Sequence, residues 1–173
     1  MHKIIRQIIR SGIKTETPPD VDDALRCTSQ RLQDEILGRF GGALAIRHVD
    51  AGSCNGCELE IHALSNPYYN LEGLGIQFVA SPRHADMLLV TGPVSRHMET
   101  ALQRTYDAMP EPKLVVAIGD CGCNGGLFGE SYASRGRVSN VIPVDVAVPG
   151  CPPTPFALMQ GILTGVSRER SLD

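Results

Sequence analysis

From Ala43 onward the chain alternates between short apolar runs rich in β-branched residues, each followed by Gly or Pro, and longer segments with helical spacing. Strands are expected at 44–50, 76–80, 87–91, 114–118 and 144–148, and helices at 58–65, 95–109 and 154–164. Runs such as Met-Leu-Leu-Val-Thr and Leu-Val-Val-Ala-Ile are apolar almost throughout, the pattern of strands buried on both faces. Such strands joined through helices make a parallel sheet covered on both sides. The expected fold is therefore α/β, a flavodoxin-like parallel sheet with helices on both faces. No internal repeat or low-complexity tract interrupts it.

Residues 1–42 read differently, as an N-terminal helical extension and linker ahead of a domain over 43–173. Ile4, Ile5, Ile8, Ile9 and Ile13 fall at helical spacing opposite Lys3, Arg6, Arg10 and Lys14, with no acid among them. A basic amphipathic helix of this kind packs on its own domain or a partner, or lies on an anionic lipid surface. Residues 15–23, with Pro18, Pro19 and three Asp, are expected as a linker, and 25–40 as a second short helix.

Composition removes several classes. Sixteen Lys and Arg against 19 Asp and Glu give a net charge of −3, with four Tyr, four Phe and no Trp. That leaves no basic field for a phosphate backbone and little to stack on bases, so no nucleic-acid partner is expected. No apolar run approaches the ~18 residues of a membrane span, and the start lacks the apolar stretch of a signal peptide. The chain is thus expected in the cytoplasm. Six Cys in 173 residues are too sparse for a secreted disulfide scaffold, and in a reducing compartment they point to metal or redox chemistry.

The placement of those cysteines narrows the chemistry. The first expected strand runs into Gly52-Ser53-Cys54-Asn55-Gly56-Cys57, the fourth into Gly119-Asp120-Cys121 and the fifth into Pro149-Gly150-Cys151-Pro152-Pro153. Carboxyl ends of parallel strands lie along one sheet edge, where such folds build their sites. Four thiols spread over 97 positions would meet there, with neighbouring glycines letting backbone approach a bulky group. Four thiolates suit a cubane, one for each iron. A four-cysteine zinc site takes the same donors but more often comes as two local C-x2-C pairs. A thioredoxin-like pair leaves Cys121 and Cys151 without a role. Cys27 is expected as a small apolar residue of the N-terminal helical region, and Cys123 as a near neighbour of the site.

At these motifs, together with Thr91-Gly92-Pro93-Val94 and Gly125-Gly126, the chain resembles the small subunit of energy-converting, membrane-associated nickel–iron hydrogenases. Those proteins are relatives of the 20 kDa or B-type component of respiratory complex I. The likeness runs over about residues 43–165. It implies a single proximal 4Fe-4S cluster ligated by Cys54, Cys57, Cys121 and Cys151, in a subunit inactive on its own. Electrons would pass between a ferredoxin-like iron–sulfur subunit and the nickel–iron site of a large subunit. Membrane-arm subunits would complete the assembly at the cytoplasmic side of the cell membrane. The C-x2-C spacing favours the hydrogenase branch over the complex I branch, in which two adjacent cysteines open the motif. The chain ends 22 residues after Cys151 without another Cys, so a single cluster is expected. Two alternatives stay open: a complex-I-like subunit whose partner reduces quinone or a sulfur compound, and a zinc-stabilised interaction module.

Glu60 aligns with a glutamate of the complex I relatives and is the candidate for proton transfer, ahead of Glu58, which suits the positive end of a helix starting near Cys57. His48, His62, His84 and His97 are expected as packed, interfacial or surface imidazoles. Phe128 and Tyr132 are expected in the core rather than over the cluster. Asp120 and the Arg83-His84 pair read as interface or supporting polar groups, and the prolines after Cys151 as a turn into the last helix.

Overall fold

A computed structural model of the chain describes residues 2–12, 20 and 22–167. Within the α/β region five parallel strands form one sheet: β1 (Leu44–Asp50), β2 (Ile76–Phe78), β3 (Met87–Thr91), β4 (Leu114–Ile118) and β5 (Val146–Val148). Their order is β2-β1-β3-β4-β5, which is the flavodoxin-like order expected from the sequence, with the direction of strand addition reversing between β1 and β3.

Among the described residues there are six α-helices: α1 (His2–Ser11), α2 (Asp23–Phe40), α3 (Gly56–Ala63), α4 (Arg96–Asp107), α5 (Gly119–Asn124) and α6 (Pro155–Ser167). The interior strands β3 and β4 are buried at every position, which is why their sequences are apolar almost throughout. One core lies between the sheet and α2, α3 and α6, with Leu32, Ile36, Ile46, Leu89, Leu158 and Ile162 among its members. A second lies under α4 on the other face, around Leu88, Val90, Leu102 and Val115.

Local chemistry sets the element ends. Asp86 accepts from the Ala45 N–H at 2.9 Å and Asp145 from the Val115 N–H at 2.8 Å, tying the amino ends of adjacent strands together. Both β5, which begins at Val146, and β2, which ends at Phe78, are shorter than expected. Helix α2 starts at an Asp22 cap and stops at Gly41 in the left-handed region (φ +66°). It buries Leu25, Leu32 and Ile36, and the Arg39 guanidinium donates to the Val166 carbonyl of α6. Helix α1 follows the expected amphipathic segment, yet Ile4, Ile5, Ile8 and Ile9 are all more than half exposed and none of its residues is buried. Met1, Ile13 and Lys14 of that segment, and 15–19 and 21 of the expected linker, lie outside the described residues.

Candidate metal centre

The loops that leave β1, β4 and β5 meet at the carboxyl edge of the sheet, beside the reversal between β1 and β3. Cys54, Cys57, Cys121 and Cys151 all line one cavity of about 160 Å³ there, together with Gly92, Asp120, Phe128 and Pro152. All four are free thiols; Cys57 and Cys121 are half-buried, and Cys54 and Cys151 exposed.

Each loop is held by its own hydrogen bonds. The Asp50 carboxylate accepts from the N–H groups of Gly52 (2.8 Å) and Ser53 (2.7 Å), turning the chain sharply at the end of β1. Asn55, in the left-handed region at φ +72°, opens α3, placing Cys57 in its first turn. Asp120 joins the other two loops: its N–H donates to the Gly150 carbonyl and its carboxylate accepts from the Gly150 N–H, both at 2.8 Å. The residue before Cys121 thereby grips the residue before Cys151.

Two glycines keep side chains out of the space around the sulfurs. At Gly119 (φ +78°) a Cβ would stand 2.7 Å from Cys57 Sγ, and at Gly126 (φ +53°) one would stand 2.7 Å from Cys121 Sγ. The glycines after β4 suggest an open loop able to aim N–H groups at the centre. The segment is instead the short helix α5, and the Gly125 and Gly126 N–H groups donate to the Cys121 and Asp120 carbonyls.

The thiols are electrostatically unsettled on their own. Burial, then the Glu58 charge and the other three thiols, push the Cys57 thiol up from 9.0 to about 12. Burial, then Cys151 and Cys54, also raise Cys121. Cys57 and Cys121, which resist ionisation beside their neighbours, suit a shared cationic group, which inverts that preference. Among the described residues no three His, Cys, Asp or Glu side chains stand close enough to share one metal ion. A cubane takes one thiolate per iron and so accepts a wider spread of sulfurs than a tetrahedral ion does. The four thiols and the clearance beside two of them fit a group that takes four thiolates, a 4Fe-4S cluster among them.

Cys123 turns away from this cavity, its thiol 3.5 Å from the Ala117 carbonyl and pushed by burial up to about 11. Cys27 is exposed on α2, so it does not serve as the small apolar packing residue expected. Phe128 (63% exposed) and Tyr132 (94%) are not core residues; Phe128 instead borders the cysteine cavity, because its segment lies beyond the sheet edge.

Sequence reasoning prefers Glu60, but the buried carboxyl is that of Glu58, 7% exposed, while Glu60 is half-buried. Glu58 faces His48 across 3.8 Å. His48 Nε2 is in turn 3.0 Å from Thr91 Oγ1, and burial lowers its pKa despite the opposing effect of Glu58. Nothing in the sequence pairs His48 with Glu58, since ten positions and an unknown helix start separate the two residues. His62, His84 and His97 are exposed, as is Arg83.

The family model for the NADH ubiquinone oxidoreductase 20 Kd subunit matches residues 54–164, the span holding all four cavity cysteines. The chain is 46% identical to the probable membrane-bound hydrogenase subunit mbhJ of Pyrococcus furiosus, over 80% of this chain and 85% of that protein. It is 50% identical to the B-type component of the NADH-quinone oxidoreductase of Desulfovibrio desulfuricans, over 73% of this chain and 68% of that one. Among solved structures it is similar to a chain of the membrane-bound sulfane sulfur reductase, an archaeal respiratory membrane complex, with a TM-score of 0.62, 36% identity and coverage of 73% and 71% of the two chains. The chain belongs to the family of the NADH ubiquinone oxidoreductase 20 Kd subunit.

Proposed function

We propose that the chain is the electron-transfer subunit of a membrane-associated nickel–iron hydrogenase complex, holding a single 4Fe-4S cluster on Cys54, Cys57, Cys121 and Cys151. The observation that carries this is the meeting of four thiols from three separate loops in one cavity, with glycine clearance against two of the sulfurs. When bound, such a cluster takes up and releases one electron at a time, at a potential set by nearby charge, hydrogen bonding and solvent. Asp120 fixes the spacing of the Cys121 and Cys151 loops. Phe128 and Pro152 line the cavity beside the sulfurs. Glu60, one turn along α3 from Cys57, is the candidate to pass a proton toward a partner.

Supporting the multi-subunit part of this reading, Leu59, Leu127, Phe128 and Tyr132 are 61–95% exposed, on α3 after Cys57 and in the segment after α5. Exposed apolar side chains close in sequence to the site's cysteines suit cover by a partner, here the hydrogenase large subunit, with a ferredoxin-like subunit as the other electron partner. The bare isoleucine face and basic side of α1 suit peripheral docking at the membrane arm or on anionic headgroups at the cytoplasmic face. Among the described residues no helix is long and apolar enough to cross a membrane.

A second reading has specific support: the 50% identity to a component of an NADH-quinone oxidoreductase and the likeness to a sulfane sulfur reductase chain favour a complex-I-like partner without nickel. The two separate by metal analysis of the complex purified through this chain. Nickel with hydrogen evolution supports the hydrogenase, and quinone or sulfur reduction without nickel supports the alternative. Within the chain, Cys121→Ser should lose the iron signal and Cys123→Ser should keep it; the reverse result would overturn the ligand assignment.

A further inference from the structure

A second and larger cavity, of about 770 Å³, opens along the outer edge of the sheet and shares no lining residue with the cysteine cavity. It forms because β2 is short. Pairing between β1 and β2 stops at Ile46↔Phe78, whereas β1 continues to Asp50, so the last residues of β1 have no paired strand on that side. Glu58 stands in the wall of this cavity with His48 and Arg47.

Glu58 is the group the fold leaves unresolved. Its side chain is 9% exposed, yet neither carboxyl oxygen has a hydrogen-bond partner, and the buried Nε of Arg47 has none either. A buried polar group without a partner is costly. Arg47 cannot supply the missing donor, because it and His48 are consecutive in β1 and point to opposite faces of the sheet. His48 comes no nearer than 3.8 Å, and its Nε2 is engaged by Thr91. The fold therefore presents an acceptor pair and an unused donor at an open sheet edge, and no described residue satisfies them.

We propose that this groove is a docking site into which a partner subunit inserts an arginine side chain that pairs with Glu58. A guanidinium offers two parallel donors to the two carboxyl oxygens, and its long stem crosses the apolar wall formed by Ile61, Ile76 and Val79. This docking site rests on the proposed function only in requiring an assembled complex, and it shares no lining residue with the cysteine cavity.

The test uses the whole complex, purified through a tag on this chain. A photo-crosslinking amino acid replaces Phe78, which is 41% exposed and lines the groove. The expected product is an adduct on a partner peptide containing arginine. Glu58→Gln should weaken retention of that partner through salt washes by at least about tenfold with iron content per chain unchanged. Glu58→Arg combined with the partner's Arg→Glu should recover it. Glu72→Gln, in the same cavity, should have little effect. No adduct, or full retention in Glu58→Gln, overturns the proposal. Intact assembly with a slowed, pH-shifted turnover also overturns it, marking a proton path instead. Loss of iron in Cys121→Ser reports on the cluster separately, so either reading can fail without the other.

Discussion

Replacing Gly119 with Ala tests whether the space beside Cys57 is reserved for something other than protein. Two costs arise. Gly119 has φ +78°, and a side chain in the left-handed region costs roughly 1–2 kcal/mol, offset in part by about 0.4–1 kcal/mol from a stiffer unfolded chain. The second cost is contact: the new Cβ would stand 2.7 Å from Cys57 Sγ, against about 3.4 Å where ordinary contact begins. The sulfur must retreat by roughly 0.7 Å, far for a ligand whose position sets a metal–sulfur bond near 2.3 Å.

Gly129→Ala supplies the control, because Gly129 has φ +52° with nothing within 4 Å of a built Cβ. It carries the backbone strain without the contact. Both variants should lower the melting temperature of the cluster-free protein by a few degrees, at about 2–4 °C per kcal/mol for a domain of this size. Only Gly119→Ala should also lose iron and visible absorption after anaerobic purification. If Gly119→Ala holds as much iron as Gly129→Ala, the clearance has no role in holding the cluster.

Other perturbations probe different parts of the account. Asp120→Ala removes the acceptor for the Gly150 N–H; it should cost roughly 1.5–3 kcal/mol and speed loss of iron in air, read by absorption decay. Leu32→Ala empties a fully buried site on α2 and should cost about 2–5 kcal/mol in denaturant unfolding; a value near zero would mean that α2 is not part of the core. The cluster-free protein should lose stability as pH rises from about 9 toward 12, because burial raises the folded-state pKa of Cys57 to about 12 and of Cys123 to about 11. Above the unfolded value the open chain binds fewer protons and is favoured. A midpoint that holds or rises over that range would contradict the burial of those thiols. Ile5→Asp with Ile8→Asp should leave stability nearly unchanged, since both are exposed, but should abolish sedimentation with anionic vesicles.

The central architecture was legible because its signals are local. β1, β3 and β4 fall at the expected residues, since an apolar run closed by glycine or proline is visible within a few positions. Strand order then brought Cys54, Cys57, Cys121 and Cys151 to one edge. Helix α5 was not legible: Gly-Asp-Cys-Gly-Cys-Asn is a poor helix by propensity. It forms where Gly122 lets the backbone sit against the Val90 carbonyl, with a Cβ there only 3.4 Å away. Glu58 and Glu60 stand about 200° apart on α3, so one can be buried without the other, and it is Glu58 that is buried with Ile61. The exposure of Phe128 and Tyr132 was equally hidden, since aromatic side chains near a site read as core until the sheet edge is located.

The most direct test of the account is the iron, sulfide and zinc content of the anaerobically purified chain, with the electron paramagnetic resonance spectrum of its reduced form. About four irons and four sulfides per chain, with the spectrum of a single reduced cubane, is the predicted result. One zinc per chain with no iron, and no signal on reduction, would contradict it.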